Sequence, residues 1–180
     1  GTVSMFEIAM RSRVNAHDAE ARLRTALENN DFLIVYLPVV SISTSRIVGV
    51  EALLRWVDPS RGLVSPGEFF ALLEKTDVLA PVGEFIFREA CRHNRQWQDR
   101  FPDHDLASTI NVSPTQLTDP EFIPRLVRII EETGADPGRL CLEITEGSMR
   151  HGIEHIWYSL RTAKEAGLQP IMEWNASTSG

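Results

Sequence analysis

Cysteine is scarce: only Cys91 and Cys141 occur in the 180 residues, far apart and outside any CxxC or Cys/His cluster. That excludes a disulfide framework and a structural zinc site, and both are read as buried, reduced thiols of a cytoplasmic protein. No apolar run approaches the roughly 18 residues that span a bilayer, so no membrane insertion is expected. The opening Gly1-Thr2-Val3-Ser4-Met5 lacks the basic stretch and apolar core of a signal peptide. Without a secretory signal, the N-x-S sequons at Asn111 and Asn175 carry no weight. No Lys/Arg block relieves the net charge of −7, which arises from 25 acidic against 18 basic residues. Duplex nucleic acid and anionic membrane are therefore poor partners. A small anionic ligand is not excluded, because one Arg beside a bound cation overrides a net acidic surface locally. No internal repeat or linker-like tract interrupts the body of the chain. What is present, 43% hydrophobic and 24% charged residues, belongs to a soluble globular domain or a piece of a larger one.

Residues 1–17 are mixed in character. From Asp18, a candidate N-cap, Leu23 and Leu27 recur at helical spacing. Phe32–Pro38 reads as a strand, and Ser43-Thr44-Ser45-Arg46 turns into a second at Ile47–Leu54. So short a connection favours an antiparallel pair, since a parallel crossover needs about a dozen residues. Ser65-Pro66-Gly67-Glu68 spells a capping box for a helix through Leu73, and a second helix is expected over Val82–Gln98. Strands are expected at Ala107–Val112, Leu140–Thr145 and Leu168–Met172. Between them lie helices at Pro120–Glu132, introduced by the capping pattern Ser113-Pro114-Thr115-Gln116 and stopped by Gly134, and at Ile153–Ala166. Strands alternating with helices after an opening hairpin predict a parallel α/β fold.

Buried parallel strands read as continuous apolar runs, yet three here carry an oxygen-bearing residue near the C-terminal end: Glu51, Asn111 and Glu143. Singly, each has a structural explanation, an Arg partner for a Glu or a helix cap for an Asn. Together at corresponding strand ends, where a β/α barrel gathers its catalytic residues, they form a hard-oxygen set suited to Mg²⁺ or Mn²⁺. Arg55 shares a strand face with Glu51 and is placed to clamp a phosphate. The chemistry so implied is a metal-dependent phosphate-ester site.

Glu51-Ala52-Leu53-Leu54-Arg55-Trp56, Gly62-Leu63-Val64-Ser65-Pro66-Gly67-Glu68-Phe69, Asn111-Val112-Ser113 with Gln116-Leu117, and Leu142-Glu143-Ile144-Thr145-Glu146 resemble the signatures of the EAL-domain family in order and spacing. The resemblance spans about residues 18–172, with 1–17 resembling a linker from an upstream domain and 173–180 an unrelated tail. It implies the N-terminal part of a modified TIM-like (β/α)₈ barrel with an antiparallel first strand, lacking the last strands. It also implies an enzyme that hydrolyses cyclic di-GMP to linear pGpG with Mg²⁺ or Mn²⁺. Glu51, Asn111 and Glu143 match the family's catalytic metal ligands, Arg55 its phosphate contact, and Leu54 and Leu37 positions beside the nucleotide. Two-metal esterases of this kind use a bridging water that attacks phosphorus in line.

Two departures stand out. Where the family's first strand reads Tyr-Gln-Pro-Ile, this chain has Tyr36-Leu37-Pro38-Val39, and Leu37 cannot make the Gln hydrogen bonds to the nucleotide. Where the family continues Asp-Asp-Phe-Gly-Thr-Gly, this chain reads Glu173-Trp174-Asn175-Ala176-Ser177. The expectation is an EAL protein of cyclic di-GMP signalling whose turnover is impaired because later metal ligands are absent. The alternative is a non-catalytic module that binds a protein partner or, weakly, the nucleotide. Open sheet edges invite a homo-oligomer or a strand-completing partner. His151 and His155 read as solvated surface, Trp56, Trp97 and Trp157 as packing anchors, and Glu146 as a helix-start carboxylate.

Overall fold

The computed structural model describes residue 18 and residues 20–145 and 153–173. The expected linker 1–17, the tail beyond residue 173, Glu146 and His151 lie outside the described residues. The chain divides into two compact units: the segment ending at Leu33 with Leu54–Val82, and Ile34–Leu53 with the segment from Gly83.

The elements are helix α1 (residues 20–28), β1 (Phe32–Val40), β2 (Ile47–Asp58), β3 (Gly62–Val64), α2 (Pro66–Leu73), α3 (Leu79–Arg100), β4 (Ala107–Asn111), α4 (Pro114–Thr118), α5 (Phe122–Thr133), β5 (Leu140–Thr145), α6 (Ile153–Glu165) and β6 (Gln169–Glu173). One six-stranded sheet runs β1-β2-β4-β5-β6, with β3 attached to β2. Ser41 N–H donates to Arg46 O at 2.9 Å in the β1–β2 turn. That connection is too short for a parallel crossover, so the opening pair is antiparallel as expected. From β2 onward the central pairings are parallel, with Glu51 opposite Thr109, Asn111 opposite Glu143 and Glu143 opposite Ile171.

In the first unit, Leu23, Phe32, Trp56, Phe69 and Leu73 are buried together. The Phe69 ring meets Trp56 edge-on at 6.3 Å and Phe32 at 6.3 Å. The sequence reading ends β2 at Leu54, whereas the strand continues to Asp58 and returns as β3, with Trp56 opposite Val64 and Asp58 opposite Gly62. The buried Asp58 carboxylate makes that turn. It accepts from Ser60 Oγ at 2.6 Å, Ser60 N–H at 2.9 Å and Arg61 N–H at 3.0 Å, while Arg22 Nη2 meets its other oxygen at 2.5 Å. The Ser60 hydroxyl first, then Arg22, hold this carboxyl well below the usual carboxylate range. A lowered folded-state value contributes stability above the ordinary carboxylate pKa and loses it as the pH falls below about 4. Urea midpoints at pH 7 and near pH 2.5 are therefore expected to differ more for the wild type than for Asp58→Asn, which retains an acceptor but cannot titrate. Equal differences would contradict this role.

The capping box expected at Ser65 is not made. Ser65 stands at the N-cap of α2 without a side-chain cap bond, and the turn is closed by Phe69 N–H donating to Ser65 O at 3.3 Å. Its counterpart at Ser113 is complete.

In the second unit, helices cover one face of the sheet. Phe122, Ile123, Leu126, Ile129 and Ile130 of α5 are buried at i, i+1, i+4, i+7 and i+8, the stripe that a 3.6-residue period places on one side. Gly134 ends the helix in the left-handed region at φ 66°, where a Cβ would be strained. The expected single helix of this region is two: α4 stops at Thr118, and Asp119 Oδ1 accepts from Glu121 N–H at 3.0 Å before α5 begins. Trp97 packs edge-on against Tyr36 at 4.8 Å, as an anchor should. Trp157 does not, being 55% exposed on α6, because its helix turns Ile156 and Leu160 inward instead. Cys91 is buried, and burial pushes its thiol up to about 12; Cys141 is half-buried rather than buried, because it lies on the uncovered face of β5.

Candidate functional site

Successive side chains of a strand alternate between faces, and the burial pattern shows which face the helices take. Ala52 in β2, Ser108 and Ile110 in β4, and Leu140, Leu142 and Ile144 in β5 are buried. The intervening Glu51, Thr109, Cys141 and Glu143 are half-buried, and Asn111 is exposed. The three oxygen-bearing residues thus share the uncovered face of three adjacent strands; Asn111 ends β4, whereas Glu51 does not stand at a strand end as expected, because β2 continues to Asp58.

Asn111 Nδ2 donates to Glu51 Oε1 at 2.8 Å. An amide that donates through nitrogen turns its carbonyl oxygen away from that partner, so the Asn111 oxygen points elsewhere than Glu51. Glu143 pairs in register with Asn111, and its carbonyl accepts from Val112 N–H at 2.9 Å. The structure brings these three positions together. Among the described residues no group of three or more His, Cys, Asp and Glu would hold a metal; this set has two carboxylates, its third donor being an amide. Two carboxylates and an amide oxygen fit one hard divalent cation that keeps several waters. Cys141 shares this face, and burial above all, with the Glu143 charge nearby, holds its thiol above its ordinary value.

The other predicted residues are Leu37, Arg55 and Leu54. Leu37 is 54% exposed in β1; Tyr36 beside it points the other way, its hydroxyl 2.8 Å from His93 Nδ1 on α3. Arg55 lies in β2 with Nη1 donating to Leu54 O at 2.9 Å. The Leu54 side chain is buried, 2% exposed, and its carbonyl accepts from Arg55. A groove of about 360 Å³ in the first unit, lined by Arg22, Asp31, Trp56 and Asp58 among others, contains none of the predicted residues.

Sequence reasoning named Gln116 as a helix cap and as part of the family signature but gave it no place beside Asn111. Its side-chain Oε1 accepts from Ser113 N–H at 3.0 Å and its own N–H donates to Ser113 Oγ at 3.3 Å, closing the turn two residues after Asn111. The Ser-Pro-x-Gln pattern announced the cap; nothing in the pattern tied it to Asn111.

A largely parallel sheet with helices on one face and acidic and amide side chains on the other is the pattern of a β/α-barrel type of domain. The EAL domain matches residues 20–172, and the chain belongs to that family. It is 39% identical over 154 residues to the uncharacterized protein sll1895 of Synechocystis sp., covering 86% of this chain but 22% of that protein. The phosphodiesterase PaMucR, solved in complex with c-di-GMP, superposes with a TM-score of 0.82 at 29% identity, covering 91% of this chain and 66% of the other. The EAL enzyme Bd1971, solved with cAMP and cyclic di-GMP, gives 0.84 at 25% identity, with 99% and 53% covered. The chain therefore spans about a fifth of the Synechocystis relative and between half and two thirds of these solved chains. No helix among the described residues is long and apolar enough to cross a membrane.

Proposed function

We propose that this chain supplies the cyclic di-GMP-binding front of an EAL phosphodiesterase domain, with Glu51, Asn111 and Glu143 holding Mg²⁺ or Mn²⁺ and Arg55 contacting a ligand phosphate. The observation that carries the reading is the Asn111–Glu51 hydrogen bond beside Glu143, on the uncovered face of a chain that belongs to the EAL family. Two structural relatives support the ligand, since both were solved with cyclic di-GMP. When bound, the cation supplies Lewis-acid polarisation of a phosphate oxygen and an acidic water. The protein's own part is to hold two carboxylates and one amide oxygen in fixed positions, with the amide orientation set by Glu51.

Hydrolysis by these 180 residues is not expected, because Glu173-Trp174-Asn175 follows Met172 where the family carries two aspartates. Incubation with cyclic di-GMP and Mn²⁺, followed by chromatography for pGpG, tests this with Glu143→Ala as control. No turnover in either protein is expected. Turnover that disappears in the control contradicts the impairment and establishes an active enzyme.

Leu37 provides a gain-of-function test. Leu37→Gln restores the side chain the family uses, and one recovered hydrogen bond worth about 0.5–1.5 kcal/mol tightens cyclic di-GMP binding by roughly 2- to 10-fold. Calorimetric titration reads it; unchanged or weaker binding removes Leu37 from the ligand site.

A second reading, a module that acts by assembly, rests on Val35, Leu37, Val39 and Ile171, all exposed. Among the described residues β6 pairs with β5 alone, leaving a strand edge for a second copy or a strand-completing partner. Light scattering with size exclusion is expected to give a mass above that of one chain; a strict monomer at all concentrations contradicts it.

A further inference from the structure

Asn111 ends β4, and the two peptide groups that follow it are tied to different elements. Val112 N–H donates to the Glu143 carbonyl on β5 at 2.9 Å. Ser113 N–H donates to the Gln116 side-chain oxygen at 3.0 Å, and Ser113 Oγ accepts from Gln116 N–H at 3.3 Å. The helix so capped, α4, has only five residues, too few to hold its own shape in water. What keeps it in place comes from its surroundings. Ser159 of α6 donates through its buried hydroxyl to Leu117 O at 2.6 Å. On the other side, the Gln116 amide nitrogen occupies the space above Gly83 in α3: a Cβ added there would lie 2.2 Å from Gln116 Nε2 and 3.5 Å from its Cδ. A Cβ at position 83 would push the far end of the Gln116 side chain aside, so the rotamer that caps Ser113 is seated where glycine leaves room for it.

We propose that Gln116, seated on Gly83, is a positioning residue for Asn111: it fixes the backbone at 112–113, and with it the amide that donates to Glu51 and turns its oxygen away for a cation. This rests on the reading of Glu51, Asn111 and Glu143 as a cation site. Gln116 touches neither Glu51 nor the ligand in this account; it acts through the exit of β4. Displacing it frees the Ser113 N–H and lets the Asn111 side chain leave its hydrogen bond. An ordinary helix cap would register only in stability, whereas a positioning role also registers in cation affinity.

Four variants of the 180-residue chain, each titrated with Mn²⁺ alone by electron paramagnetic resonance and checked by far-UV circular dichroism, test the proposal. Gln116→Leu, which lacks the acceptor, is expected to weaken Mn²⁺ binding about 10-fold or more, the loss typical when a group that orients a metal ligand is removed. Gln116→Glu keeps the acceptor and the capping pattern, and stays within about 2-fold of wild type. Gly83→Ala displaces the same side chain and matches the leucine variant. The double variant loses no more than the larger single one, because both act through one contact. Wild-type affinity in Gln116→Leu, or a glutamate variant as weak as the leucine one, overturns the proposal. Should the leucine and alanine variants fail to fold, Gln116→Asn, one methylene too short to reach Ser113, must show the same loss; wild-type affinity there overturns it equally. Asn111→Ala separates the two levels. If it binds Mn²⁺ like the wild type, the cation-site reading fails; if it loses binding while Gln116→Leu does not, only the positioning role fails.

Discussion

Phe69→Ala is expected to lower the unfolding free energy by about 3–5 kcal/mol, the usual cost of emptying a fully buried aromatic site. Phe69 is 0% exposed in α2 and stands where Phe32, Trp56 and Phe70 converge, its ring stacked on Phe70 at 4.7 Å. Three rings around one position cannot collapse together without leaving their own contacts, so a cavity remains. Aromatic pairs add about 0.5–1.5 kcal/mol each beyond burial, which places the loss toward the upper end. Urea unfolding should show a lower midpoint at an unchanged slope. A loss below about 1 kcal/mol would show that the cluster repacks and that the first unit is not held by these rings.

The second large effect is chemical. Glu51→Gln leaves an acceptor for Asn111 Nδ2 and nearly the same volume, so it removes charge without emptying the site. Divalent affinity depends on the number of ionised ligands, and a set with only two carboxylates loses half its charge. The expected weakening of Mn²⁺ binding is about 100-fold, at or beyond the upper limit seen for the outer partners of metal ligands. Retention of wild-type affinity would move the cation away from Glu51. Glu143→Gln is expected to behave alike, whereas Glu154→Gln, at an exposed position of α6, serves as an unaffected surface control.

Much of this was legible in the sequence, and the reasons differ by element. β5 falls on the expected Leu140–Thr145 because alternation and the bounding turn both mark it. α5 was readable from its apolar stripe and Gly134, where two independent signals agree. That Glu51, Asn111 and Glu143 come together was readable because carboxylates and amides disturb strands that are otherwise apolar. β3 was not, since a three-residue strand carries no period; what creates it is the Asp58 carboxylate gathering the Ser60 and Arg61 N–H groups. Ser65 and Ser113 show the limit of motif reading. Both begin Ser-Pro, yet only Ser113 closes its box, and there Gly83 leaves room for the Gln116 side chain. Period-2 alternation puts Leu54 opposite to Glu51, a face that the EAL signature does not spell out. Trp157 was misread on α6, where size promised burial and the helical phase did not deliver it.

Calorimetric titration of the 180-residue chain with cyclic di-GMP in Mn²⁺, with linear pGpG as competitor and Asn111→Ala as the paired variant, is the most direct test of the central claim. The account predicts saturable, Mn²⁺-dependent binding of cyclic di-GMP that falls sharply in Asn111→Ala. Absence of saturable binding, or equal affinity in the two proteins, would contradict it.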